Sequence, residues 1–248
     1  MALTIHNRGQ NPENFRAINH ADFDRSWPIF MQHDPNGWLY YGELDTVADY
    51  VLLATDGDEP VAKAYSTPFA FGTAGRATLP DGGWDEVIRW QHADRLAGRE
   101  RNAATALEIV VRKERQGTGI AGVMVRALRD NAFRLGHEVL YAPVRPSRKS
   151  EEPETPMSEY AFRVRDDGLP YDPWLRVHVR AGGRILKVCP VSMTIPGTLA
   201  QWRRWTGLPF DTDGPVVVDG ALSPVLVSVA QDSAVYVEPN VWVEHRKP

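Results

Sequence analysis

The run Gln116-Gly117-Thr118-Gly119-Ile120-Ala121 constrains this chain more than any other stretch, because it joins a β-rich segment, Ala106 to Arg112, to an amphipathic one, Gly119 to Leu135. In the second segment Ile120, Val123, Met124, Ala127 and Leu128 share one helical face, and Gly136 stands where a helix C-cap belongs. Glu138 to Ala142 reads as the next strand, so residues 106–142 form a strand, helix, strand crossover. Small residues at a helix start let the backbone approach an anion, and the free N–H groups there point outward with the positive end of the helix dipole. A pyrophosphate would fit such a loop.

Around this unit the periodicity predicts further elements. Phe15 to Ile18 reads as a short opening strand, and Asp22 to Met31 as a helical stretch kinked at Pro28. Tyr50 to Ala54 and Val61 to Tyr65 flank the turn cluster Asp56-Gly57-Asp58-Glu59-Pro60, an antiparallel hairpin. A Gly- and Pro-rich stretch then leads into an inserted helix near residues 84–97. Residues 145–172 read as a long ordered loop, Asp172-Pro173 caps a short helix that stops at Gly182-Gly183, and Arg184 to Val188 resumes as a strand. In the last quarter a helix from Thr198 to Trp205 precedes four strand-like runs, at 216–218, 225–229, 235–237 and 241–243, which close the sheet. No internal repeat appears, and residues 1–248 read as a single domain with a C-terminal extension over 190–248.

Composition narrows the function classes. Twenty-eight basic against 32 acidic residues, a net charge of -4, disfavours a nucleic-acid binder, which carries a basic stripe. No apolar run is long enough to cross a membrane, so no membrane association is expected. The single cysteine, Cys189, excludes an intrachain disulfide and any Cys-rich metal site, and the histidines show no ligating spacing, so no metal is expected. With no visible secretory signal, a reducing, cytoplasmic setting is the expectation.

Three phosphate-binding readings of the loop compete. A P-loop would need a Gly-Lys-[Ser/Thr] ending, and Lys149-Ser150 follows Arg148 instead. Gly117-Thr118-Gly119-Ile120-Ala121-Gly122 meets the bare glycine pattern of a dinucleotide fingerprint, but that pattern belongs near the start of alternating parallel strands and helices, whereas a hairpin precedes it here. Read as [Gln/Arg]-x-x-Gly-x-[Gly/Ala], the same residues and their flanks resemble the acyl-CoA-binding motif of the GNAT superfamily of N-acyltransferases. The order of elements agrees from Phe15 to about Val188, and His178-Val179-Arg180-Ala181-Gly182-Gly183 occupies the place of the family's Tyr-x-x-x-Gly-Phe.

The resemblance implies an α/β fold with a mixed, mostly antiparallel sheet and a central V-shaped splay, here with extended C-terminal strands. It implies a reaction in which an acetyl or other short acyl group passes directly from acyl-CoA to an amine of a small molecule or amino acid in a ternary complex. Carried onto this chain, Gln116, Gly117, Thr118, Gly119, Ile120 and Ala121 would wrap the CoA pyrophosphate, and Val110 and Val111 would bond the pantetheine arm as an added strand. Glu108 stands where many members carry the carboxylate that takes the proton of the amine; it also reads as a strand glutamate facing solvent or an arginine. His178 replaces the usual tyrosine acid, a departure that an imidazole can fill. It also reads as a histidine packed at a helix end, with Tyr160, Tyr171 and Tyr141 as other donors.

The loop after Val144 is an acceptor-side lid or a solvated charged loop; Arg145 is its candidate clamp for a substrate carboxylate, and Tyr160 a second substrate contact. Pro239 to Trp242 line either the acceptor site or a dimer interface, so a homodimer stays open as a partner beside the small amine. Two other readings share the fold: a different thioester reaction, O-acylation or decarboxylation, and a CoA-binding module without turnover.

Overall fold

The computed structural model describes residues 3–16, 23 and 27–247. In chain order the elements are β1 (Leu3–Asn7), α1 (Pro12–Arg16), α2 (Trp38–Tyr41), β2 (Val51–Asp56), β3 (Glu59–Phe69), α3 (Gly83–Leu96), β4 (Ala103–Val111) and α4 (Ile120–Arg134). They continue with β5 (Val139–Val144), α5 (Met157–Tyr160), α6 (Pro173–Arg180), β6 (Arg184–Gly197), α7 (Leu199–Thr206), β7 (Gly214–Val216), β8 (Val225–Ser228) and β9 (Ser233–Arg246). The strands of the described residues form one nine-stranded sheet in the order β1-β2-β3-β4-β5-β9-β8-β7, with β6 on the other edge of β9. Among the described residues only β4 and β5 run parallel, as the crossover through α4 requires.

Alternation along the strands divides the core by sheet face. Ala104, Ala106, Leu140, Ala142 and Val243 pack under Met124 and Leu128 of α4 and Leu175 of α6. On the opposite face Ala103, Leu107, Tyr141, Ile195 and Trp242 meet Val87 and Ile88 of α3 and Trp202 of α7. Thr198 and Gln201 form a reciprocal capping box at the start of α7, and Asp172 caps α6 by accepting from the Trp174 and Leu175 N–H groups.

Two irregularities shape the sheet where chemistry can occur. β4 and β5 pair only at Ala104↔Leu140 and Thr105↔Tyr141, and beyond that point β4 runs on to Val111 beside β3 with, among the described residues, no strand on its other edge. This is the V-shaped splay. A register shift opposite Tyr65 and Ser66 leaves Leu107 unpaired as a bulge, so Glu108 faces Tyr65 across the ladder and shares a cavity wall with Leu107.

Some elements differ from the sequence reading. Phe15 and Arg16 belong to α1, the edge strand is Leu3–Asn7, and residues 17 and 18 of the expected strand lie outside the described residues. Of the expected helix from Asp22 to Met31, residues 22 and 24–26 also lie outside; its end is a 3-10 turn, Ile29–His33, that starts after Pro28. The runs at 235–237 and 241–243 are one strand, β9, through Pro239. That proline is tolerated because the β6 ladder skips from Asn240 to Glu238 and the β5 ladder stops at Val241, so no bond is lost at its missing N–H. β9 therefore lies inside the sheet, between β5 and β6.

Candidate active site

The loop between β4 and α4 has the conformation that an anion seat needs. Gly117 and Gly119 take φ of 75° and 88°, a left-handed geometry that costs other residues about 1–2 kcal/mol. Gln116 to Gly119 are exposed. Thr118 turns its hydroxyl back to the Arg115 carbonyl, and the Gln116 amide donates to the Val111 carbonyl at 3.2 Å, tying the loop to the strand end. Backbone pairing resumes at Gly122 and Val123, which both return to the Gly119 carbonyl. The first N–H groups of α4 are thus directed outward at the positive end of a 15-residue helix. Val110 and Val111 lie in the part of β4 whose edge the splay leaves unpaired.

On the α3 face of the sheet a cavity of about 560 Å³ crosses the splay, with Leu107 and Glu108 of β4 on one side and Glu238 and Asn240 of β9 on the other. Glu108 is held there by two donors: Trp27 Nε1 to Oε1 at 2.9 Å and the Tyr41 hydroxyl to Oε2 at 2.7 Å. Trp27, Trp38, Tyr41, Tyr65 and Trp84 supply aromatic walls, and Asp34 a third carboxyl. A buried chain of hydrogen bonds braces the far side. The Trp84 N–H donates to Ser192 Oγ, Ser192 Oγ to Asn240 Oδ1, and Asn240 Nδ2 to Glu238 Oε1. Arg145 Nε and the Tyr236 hydroxyl close on Glu238 Oε2 at 2.9 and 2.8 Å.

The sequence-derived residues thus divide. Glu108, Val110, Val111 and the loop from Gln116 to Ala121 come together along β4 and its exit, whereas His178, Arg145 and Tyr160 do not line the cavity. His178 is buried, with Nδ1 at 3.0 Å from His245 Nε2; burial and the facing imidazole push its pKa down to about 3, so it stays neutral. Arg145 is committed to Glu238 and the Gly220 carbonyl, and its guanidinium sits 5.7 Å from the Trp27 ring. It braces the wall and offers no free fork to a carboxylate. The Tyr160 hydroxyl is buried against Asp172, the residue that caps α6, and burial beside that carboxyl raises its pKa. Tyr141 is packed among Phe69, Phe71 and Trp242, and Tyr171 against Tyr160, so neither reaches the cavity. Among the described residues no group of three or more His, Cys, Asp or Glu side chains is placed to hold a metal, and no helix is long and apolar enough to cross a membrane.

Sequence reasoning missed Trp27, Tyr41, Glu238 and the bracing role of Arg145. The one signal for the β9 side was the segment Pro239 to Trp242, left open between acceptor site and dimer interface; Asn240 lines the cavity.

No family model matches the chain. Its fold is shared by the loading GNAT-like domain of CurA from Lyngbya majuscula, with a TM-score of 0.60 at 14% identity over 99% of this chain and 98% of that one. It is shared too by the GNAT-like decarboxylase GphF in complex with isobutyryl-CoA, with a TM-score of 0.54 at 14% identity over 99% of both chains. An arginine N-acetyltransferase of Aspergillus versicolor is 33% identical over 247 residues, which cover 88% of this chain and 84% of the relative. The chain belongs to the GNAT superfamily. It is a GNAT-type N-acetyltransferase, which passes an acyl group from acyl-CoA to an amine.

A buried neutral His178 has a testable consequence for a GNAT enzyme. His178→Phe is expected to leave the pH profile of kcat unaltered while lowering stability by about 1–3 kcal/mol, the cost of leaving His245 without its partner. Denaturant unfolding and a pH series measure the two effects; a displaced limb of the profile would return His178 to the chemistry.

Proposed function

We propose that the enzyme transfers the acetyl group of acetyl-CoA to the amine of a small cationic acceptor such as arginine. The observation that carries this reading is the position of Glu108: its carboxylate stands in an aromatic cavity that crosses the splay, beside the unpaired edge of β4. In this reading the CoA pyrophosphate rests on the N–H groups of residues 117–121, and the pantetheine arm runs along Val110 and Val111. A β4 amide then polarises the thioester carbonyl, a role that fixed dipoles perform well.

Glu108, steadied by Trp27 and Tyr41, removes a proton from the amine as its nitrogen bonds to the carbonyl carbon. The carbon–sulfur bond breaks, and the proton taken up by Glu108 is the one that the CoA thiolate needs, so a return through the same carboxyl balances the step. Asp34 and Glu108 on the walls, against the cation Lys63 in the same lining, favour a positively charged acceptor, and the Trp and Tyr faces suit a guanidinium or ammonium group. Arginine enters through the Aspergillus relative, which is named for it. The reading keeps the chain as one catalytic domain in a cytoplasmic setting, supported by its continuous sheet and its one buried cysteine.

The test is turnover of acetyl-CoA with a panel of cationic, neutral and anionic amines, following free thiol and product mass together. One acetylated amine per thiol, with arginine and other cations preferred, is the expected result. Thiol release without an acetylated amine, decarboxylation of an acyl-CoA, or a preference for acidic acceptors would contradict it.

A further inference from the structure

We propose that Asp34 and Asp85 are a positioning pair that shares one proton and thereby fixes the 34–41 wall of the acceptor cavity. This inference rests on the reading of that cavity as the acceptor site. Asp34 follows the 3-10 turn Ile29–His33, and its Oδ1 accepts from the Asn36 and Gly37 N–H groups at 2.8 and 3.0 Å. Those residues lead directly into α2, which brings Trp38 and Tyr41 to the cavity. Asp85, only 3% exposed in the first turn of α3, uses Oδ2 to accept from the Thr194 N–H of β6 at 3.1 Å.

The second oxygen of each residue, Asp34 Oδ2 and Asp85 Oδ1, is buried and has no hydrogen-bond partner among the described residues. Each carboxyl acts on the other, so a proton placed between the two orphaned oxygens would satisfy both. Two carboxylates in such contact cannot both ionise cheaply, so one proton stays between them. A loop that carries two cavity residues is thus joined to α3 and β6 through a bond that exists only while the proton is present.

The charges around the pair are few. Arg89, one turn further along α3, acts on both carboxyls, while Asp81 and Glu86 share with Asp85 a second cavity of about 490 Å³ behind the wall. His33, on the adjoining turn, is stacked on Trp205 at 4.2 Å. From β6 the pair receives only the Thr194 amide, and Lys187 of that strand is taken by Asp81 at 2.7 Å. Burial, then the neighbouring Asp34, pushes the Asp85 pKa up to about 8. Because that value lies above the unfolded one, the pair's stabilisation is complete below about pH 4 and is lost as pH rises towards 8. Above that point two buried carboxylates repel, and the wall that holds Tyr41 against Glu108 loosens.

The experiment compares wild type with Asp85→Asn and Asp85→Ala between about pH 6 and about pH 9, recording the KM for arginine, the KM for acetyl-CoA and the thermal midpoint. An asparagine can still donate to Asp34 and accept from Thr194 but carries no titrating proton. In wild type the arginine KM is expected to climb at least about fivefold above pH 8 while the acetyl-CoA KM stays level, and the midpoint to fall by several degrees, roughly 5 °C. Asp85→Asn should flatten both changes relative to wild type, and Asp85→Ala should raise the arginine KM at every pH. An unchanged midpoint slope in Asp85→Asn would overturn the shared proton. A flattened midpoint with no effect on the arginine KM in any variant would overturn the positioning role, and it is distinct from failure of the acceptor-site reading, in which Glu108→Gln leaves turnover undiminished.

Discussion

Glu108→Gln is expected to lower kcat by about two orders of magnitude or more, the range for loss of a general base, with acetyl-CoA affinity unchanged. The substitution preserves shape. Its carbonyl oxygen can still accept from Trp27 Nε1, and the Tyr41 hydroxyl can turn to accept from the new amide, so the cavity wall stays in place. What disappears is the site that takes the amine proton. Turnover in the variant should therefore rise with pH as more of the acceptor arrives already deprotonated, a dependence that steady-state kinetics resolves. Calorimetric binding of acetyl-CoA supplies the control, since the loop from Gln116 to Ala121 is untouched. An undiminished kcat would return Glu108 to the role of a strand glutamate bonded to two aromatic donors.

Gly119→Glu is expected to weaken acetyl-CoA binding by at least about 100-fold while the protein still folds. A Cβ added at this position meets nothing within 4 Å, so no clash opposes the start of the side chain. The φ of 88° imposes a strain of about 1–2 kcal/mol, which a protein of this size survives. The added carboxylate would lie at the N-terminal end of α4, where we propose the pyrophosphate sits, and would both repel it and occupy its N–H donors. Gly119→Ala separates the two effects, because it carries the same backbone strain without charge and should keep most of the affinity. Equal affinity for acetyl-CoA in the Glu variant, measured by calorimetry, would displace the cofactor from this loop.

What could be read from the chain, and what could not, follows the range of the interactions. The hairpin at 51–69, the capped α6 and the strand, loop, helix unit around Gln116 are specified by residues close together, so periodicity and turn chemistry exposed them. The glycine loop proposed to seat the pyrophosphate was legible for the same reason. The proposed acceptor cavity was not. Its walls come from residues 27–41, from β4 and from β9, and they are joined by contacts such as Trp27 to Glu108 and Arg145 to Glu238 that no local pattern encodes. Arg145 looked available because its partner lies 93 residues away. His178 looked reactive from its place in the motif, but the fold sets it beneath the sheet against His245, where burial keeps it neutral. The runs at 235–237 and 241–243 read as two strands because the gap in both neighbouring ladders that lets Pro239 sit between them is a property of the assembled sheet.

The measurement that bears most directly on the account is a crystal structure of Glu108→Gln with acetyl-CoA and arginine bound. The pyrophosphate is expected on the N–H groups of residues 117–121, the thioester beside the free edge of β4, and an arginine nitrogen within hydrogen-bond reach of residue 108 in the cavity between β4 and β9. Acetyl-CoA seated on another element, or arginine bound outside that cavity, would contradict it.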